Sequence, residues 1–184
     1  MPSLASPVAH AKISLLSERN RRQSSVTSAL TRDALLTGAP TSIHLVSFSG
    51  YPDSPPMSFS IERPIGVELP AWAEPAISSI IELLSLPANW NSYDAPRLVP
   101  STGIAAIRFL ADVMRNAMPL PAFVPTSRGG VQLEWHFERG DVEVNFDPAG
   151  SATVFASDLT TGQEIEGPLE TNQQKLEVML RQVI

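Results

Sequence analysis

The chain has no cysteine among its 184 residues. That excludes a disulfide framework, a thiolate nucleophile and any Cys-based zinc or iron–sulfur site. It also fits a cytoplasmic location, which is the one expected here. Histidine is scarce. His10, His44 and His136 fall in no H-x-x-x-H or H-E-x-x-H spacing, so neither a metal nor a cofactor is expected. Long apolar runs are missing too. No stretch approaches the roughly 18 residues of a membrane helix, and the opening MPSLASPVAHAKISLL has no charged segment followed by a continuous apolar one. Neither a membrane span nor a signal peptide is therefore expected. Phosphate-binding and nucleophile-elbow motifs (G-x-x-x-x-G-K-[ST], G-x-G-x-x-G, G-x-S-x-G) do not occur, and the glycines of TSRGGV precede a strand pattern rather than a helix. A net charge of −6 argues against general affinity for nucleic acid or anionic lipid.

What is present divides unevenly. Of the seventeen prolines, fifteen lie at or before Pro125, so that part must be built from short pieces. Residues 1–40 carry Lys12, Arg19, Arg21, Arg22 and Arg32 against Glu18 and Asp33, a net +3 that leaves −9 for the remainder. They read as a flexible basic leader with one weak helical candidate, Ser25–Leu36. Residues 41–70 read as a Pro-rich extended segment or hairpin, with IHLVSFSG and MSFSIERP as strands around SGYPDSPP.

Residues 71–184 read as an α+β domain. A helix over about Glu74–Ser85 carries Ile77, Ile80, Ile81 and Leu84 at helical spacing, with Pro75 in its first turn. A second helix follows Pro100, with Ser101 or Thr102 as its cap and Ile104, Ile107, Leu110, Ala111, Met114 and Ala117 or Met118 on one face. PLPAFVP reads as an extended crossing, because its prolines cannot donate to a ladder. The period then switches to two. VQLEWHFE puts Val131, Leu133, Trp135 and Phe137 on one face, and DVEVNF does the same with Val142, Val144 and Phe146. Reversal around Arg139-Gly140 would set Phe137 opposite Val142, Trp135 opposite Val144 and Leu133 opposite Phe146. SATVFAS is a third strand, QEIEG a short fourth at the edge, and a helix over Leu169–Ile184 closes the domain with Leu176, Met179, Leu180 and Val183 inward. The expected architecture is two-layered: a three- to four-stranded antiparallel meander packed against two or three helices, behind a Pro-rich, partly disordered N-terminal region.

Two places draw functional interest. On the polar face of the first hairpin, the expected register sets His136 opposite Glu143, with Glu134 beside them. A His among carboxylates can act as a base or hold a metal, but alternating polar residues are also what any half-exposed sheet displays, and that reading is preferred. The other place is LPANWNSYDAPRLVP, residues 86–100, which sets Trp90 and Tyr93 between prolines with Asn89, Asn91 and Asp94. Both rings are expected to aim at the edge of the sheet that carries Trp135, as a structural clasp, with the Asn and Asp side chains bonding the loop's own backbone. A ligand or partner site in this loop remains the alternative.

Asn89, Trp90, Tyr93, Ala95, Pro125, Thr126, Gly129, Gly130, Val131, Leu133, Glu134 and Trp135 together resemble a family of small uncharacterised bacterial proteins. Its signature is N-W-D-x-Y-x-A, a helix, and P-T-x-x-G-G-V-x-L-E-W. The resemblance covers about residues 86–147. The chain departs from it at Asn91, where Asp is usual, and at Asp94, where Gly is common. It implies a similar fold and a bacterial or mobile-element origin, but no activity.

The expected function is a non-enzymatic protein-interaction module, antitoxin-like, immunity-like or associated with phage defence, whose acidic body meets a basic protein partner. Residues 129–184 hold three basic and ten acidic residues, so nucleic acid is not expected on the folded domain even though helix, three strands and helix is also the order of a double-stranded-RNA-binding domain. The alternatives are a small enzyme with a carboxylate/His cleft near Trp90, Tyr93, Glu134 and His136, and a phage or plasmid structural subunit. The second would self-associate.

Overall fold

The computed structural model describes the backbones of four strands between residues 10 and 64, and residues 69–115 and 118–183. The chain divides into two compact units, 1–78 and 79–184, with the division falling inside the first helix. In the first unit, β1 (His10–Leu16), β2 (Thr31–Asp33), β3 (Pro40–Ser47) and β4 (Ser58–Pro64) form an antiparallel sheet in the order β1-β4-β3-β2. β3 and β4 pair with each other across residues 48–57, with an irregularity between Leu45 and Ser47. The helical candidate Ser25–Leu36 overlaps β2, and the rest of it lies outside the described residues. The side chains of His10 and His44 lie outside them as well.

The second unit is α+β. After α1 (Ala73–Leu84) and α2 (Pro100–Val113) come β5 (Ala122–Pro125), β6 (Val131–Phe137), β7 (Gly140–Phe146), β8 (Ala152–Asp158), β9 (Gln163–Pro168) and α3 (Leu169–Val183). The strands form one antiparallel meander in chain order. Five strands stand where three to four are expected, because PLPAFVP supplies β5. Its prolines flank or end a four-residue edge strand, a position that tolerates them. QEIEG forms β9 at the other edge.

The period-two pattern sets the layers. Val131, Leu133, Trp135, Val142, Val144, Phe146, Val154, Ala156 and Ile165 are buried on one face. α2 lies against β6 and β7, and α3 against β7, β8 and β9. Phe109 of α2 meets Trp135 edge-on at 6.4 Å and Phe146 at 5.9 Å between ring centroids, a geometry aromatic pairs favour. The indole N–H of Trp135 donates to the Pro119 carbonyl at 3.0 Å. α1 meets α2 where Gly103 leaves room: a Cβ there would stand 2.7 Å from Ile80 Cγ2. Leu176, Met179 and Leu180 are buried as expected, whereas Ala111 is exposed. The side chain of Val183 lies outside the described residues. Neither Ser101 nor Thr102 caps α2. Pro100 takes the first helical position, where its missing N–H costs nothing, Val99 becomes the cap residue, and the Thr102 hydroxyl donates to the Val99 carbonyl at 2.7 Å. Among the described residues no helix is long and apolar enough to cross a membrane.

The β6–β7 register is two residues away from the expected one. Phe137 pairs with Gly140, Trp135 with Val142, Leu133 with Val144 and Val131 with Phe146. The turn is Glu138-Arg139 rather than Arg139-Gly140. A shift of two preserves every residue's face and still matches apolar with apolar, so alternation alone does not separate the two registers.

One contact ties the segment before α2 to the start of β6. The Val99 N–H donates to the Gly129 carbonyl at 2.9 Å. Gly129 has φ +85, and a Cβ on it would stand 2.8 Å from the Arg97 carbonyl oxygen. At Gly130 a Cβ would run into the Phe146 carbonyl and stand 2.9 Å from Thr126 Oγ1. The Gly130 N–H donates to that hydroxyl at 2.9 Å, and the Thr126 N–H donates to the Gly130 carbonyl at 3.0 Å. Gly130→Ala should therefore lower stability by about 2–4 kcal/mol in urea unfolding, since rigid backbone must move. Gly150→Ala, at φ +91 with open space around it, should cost only about 1 kcal/mol.

Candidate functional site

The 86–100 loop is held by its own side chains. Asn89 Oδ1 accepts the Asp94 N–H at 2.9 Å, and Asn91 Oδ1 accepts those of Tyr93 at 2.9 Å and Ala95 at 3.3 Å. The Asn89 N–H donates to the Ala95 carbonyl at 2.7 Å and closes the loop. Asn89, Ser92 and Asp94 all take positive φ, at 61, 62 and 60. Left-handed backbone is unfavourable for residues with a Cβ, and the short Asx side chains offset it by local hydrogen bonding.

The expected aiming of both rings at the sheet edge is corrected. Tyr93 is 87% exposed and Trp90 is only partly buried. With three left-handed residues the loop coils, so positions three apart do not share a direction. The Trp90 indole nitrogen is buried and has no hydrogen-bond partner. Trp135 finds its polar partner at Pro119 and its ring partner at Phe109, inside the core.

The second candidate lies on the sheet face turned away from α2 and α3. The observed register places His136 opposite Asp141, and Glu134 opposite Glu143, rather than His136 opposite Glu143. His136 Nδ1 is 2.8 Å from Asp141 Oδ1 and its Nε2 is 3.6 Å from Glu134 Oε2. The hydrogen bond to Asp141 raises the His136 pKa above its ordinary value, partial desolvation opposes this, and both carboxylates add to the rise. Glu134 and Glu143 are bridged by one amide: Gln132 Nε2 donates to Glu134 Oε1 at 2.8 Å and to Glu143 Oε2 at 3.2 Å. In the next row Asn145 Oδ1 is buried without a donor.

This arrangement suits electrostatics better than catalysis. The His136 side chain is 64% exposed, and its carboxylate neighbours sit on a pleated surface. Hydrogen bonds of Glu134 and His136 stay within the sheet face, while those of the Asn89 and Asn91 side chains close within residues 89–95, so the two clusters are not joined by them. Among the described residues no group of three or more His, Asp or Glu is arranged to hold a metal ion. No protein-family model matches the chain, and no curated protein or solved structure is significantly similar to it.

Two residues that sequence reasoning passed over carry much of the local chemistry. Asp158 is a buried carboxylate at the end of β8. It accepts the Thr161 hydroxyl at 2.8 Å and the Thr160 and Thr161 N–H groups at 2.8 and 3.3 Å. The Thr161 hydroxyl, with these amides and Arg139, holds its pKa below the ordinary value despite burial. Its signal was the D-x-T-T turn, which marks a cap but not the burial. Phe155 was read only as part of a strand, yet it stands on the polar face, 38% exposed.

A raised pKa in the folded state means the protonated His136 is favoured by folding. Its contribution is fully present below 6.5, the ordinary value, and is lost as pH rises through the higher folded value. The stability difference between the protein and His136→Gln should thus be larger at about pH 5.5 than at about pH 8.5. An NMR titration of the His136 ring should give a midpoint above 6.5 that falls in Asp141→Asn.

Proposed function

We propose that the protein is a non-enzymatic interaction module that receives a basic protein partner on the outer face of its five-stranded sheet. The observation that supports this is the composition of that face. By register it carries Glu134, Asp141, Glu143, Glu164 and Glu166, and neither Lys nor Arg. In this unit the helices cover only the opposite face. A single-sign surface steers an oppositely charged partner and rejects like-charged ones. A basic partner of this kind is what a nucleic-acid-acting toxin or effector presents, which makes an antitoxin-like, immunity-like or defence-associated role the specific form of the reading.

The resemblance to small bacterial proteins fits the geometry of the loop. Asn91 acts through one side-chain oxygen that accepts two amides, a role Asp fills equally. Asp94, where the pattern has Gly, lies at φ +60, where glycine is unstrained. Gly129 and Gly130 serve backbone approach. The signature thus reads mainly as one of fold, and the interaction is assigned to the outer sheet face, which shares Glu134 with it.

Native mass spectrometry of the protein purified from its source cells tests this. A stoichiometric basic partner should be present, and Glu143→Lys with Glu166→Lys should weaken its binding about tenfold or more at low salt. Stability should not fall, because Glu143→Lys turns a like-charge pair with Glu134 into an attractive one. A lone monomer, or full binding by the double variant, would overturn the proposal.

A further inference from the structure

The register draws one line across the outer face: Glu134 on β6, Glu143 on β7, Phe155 on β8 and Glu166 on β9, each paired with the next. Neighbours in such a line are about 5 Å apart and their side chains project to the same side. Two features of this line run against what folding alone favours. Glu134 and Glu143 are like charges directly opposite one another, a destabilising pair, relieved within the sheet by the Gln132 amide and, when it is protonated, by His136 at 3.6 Å from Glu134. Phe155 holds a partly exposed aromatic ring in the middle of a polar face, although its strand already buries Val154 and Ala156 on the other side. Like charges set opposite one another and a ring left partly in water are characteristic of surfaces kept for a ligand.

The chemistry of the line specifies that ligand. A ring with a carboxylate on the neighbouring strand to either side, Glu143 and Glu166, offers a π face with an anion one strand spacing, about 5 Å, from it on each flank. A guanidinium fits this better than an ammonium, because it stacks on a ring while its in-plane N–H groups fork to carboxylates. We propose that Glu143, Phe155 and Glu166 form the seat for an arginine side chain of the basic partner, with Glu134 adding to the field. This rests on the reading of the outer face as the interaction surface and names the side chain that the surface selects.

Capped hexa-arginine and hexa-lysine peptides, equal in charge, separate this from a merely acidic surface when titrated calorimetrically against the full chain. Hexa-arginine should bind about fivefold more tightly or better, and Phe155→Leu should remove that preference with the chain still folded at the temperature of the titration. Phe155→Trp, which keeps a ring, should retain it. Glu143→Gln and Glu166→Gln should each weaken both peptides and flatten the salt dependence. Equal affinity for the two peptides, or a preference that survives Phe155→Leu, would overturn the arginine seat. If the purified partner is still lost in the Glu143→Lys, Glu166→Lys variant, the broader reading survives that failure. A rise in hexa-arginine affinity on replacing Arg19, Arg21 and Arg22 with Gln would put the chain's own basic segment on the face and overturn the assignment to a partner. Absence of any salt-sensitive binding to the face would remove both readings.

Discussion

The second unit depends on a close backbone approach at Gly129 and Gly130. At the first glycine the chain passes beside the Arg97 carbonyl, and at the second beside the Phe146 carbonyl. Neither passage has room for a Cβ. The hydrogen bond from Val99 to Gly129 fixes the residue immediately before α2 to the residues immediately before β6. Helix and sheet are thereby tied to each other through the backbone as well as through core side chains. The aromatic cluster of Phe109, Trp135 and Phe146 follows from that placement, since the first ring belongs to α2 and the others to strands that start or end beside the glycines. The asparagine-rich loop acts on the same joint, holding the chain between α1 and the Arg97–Val99 segment in a coiled path that three left-handed residues define.

The two sides of the sheet differ in composition. The helix-facing side is apolar along β6, β7 and β8, while the opposite side gathers carboxylates around His136, with neither Lys nor Arg on its strands. Charge is thus separated by the pleat: adjacent residues in one strand serve burial and field in turn. The like-charge pair Glu134–Glu143 and the partly exposed ring of Phe155 both lie on this side. His136 adds the one local group on this face whose charge responds to pH near neutrality, and its two carboxylate neighbours favour the positive form.

Much of this was legible in the sequence, for reasons that also mark its limits. Alternation identifies faces because a strand's period is two, so Val131, Leu133, Trp135, Val142 and Val144 were assigned to the core. The same period makes a two-residue slip invisible, and the pairing of His136 was read wrongly for that reason. β5 was missed because prolines argue against a strand unless the strand is known to be at an edge, and strand order is not a local property. Asn89 and Asn91 were recognised as backbone partners from residue type alone. The direction of Tyr93 was not, because it depends on left-handed backbone at Asn89, Ser92 and Asp94. The partner of the Trp135 indole lies sixteen residues away, and no spacing rule connects it to Pro119. The Ser25–Leu36 helical candidate rested on propensity with a thin apolar stripe, and strand pairing prevails over such a preference at Thr31–Asp33.

The joint at Gly129 is open to a direct measurement: amide hydrogen exchange at Val99, in a loop by sequence but bonded to Gly129 in the fold. The account predicts that this amide exchanges at least about a thousandfold more slowly than the exposed loop amides, at a rate close to those of Leu133 and Val144 in the core, because it opens only when the unit unfolds. Exchange of Val99 at the rate of an ordinary loop amide, with Leu133 and Val144 still protected, would contradict it.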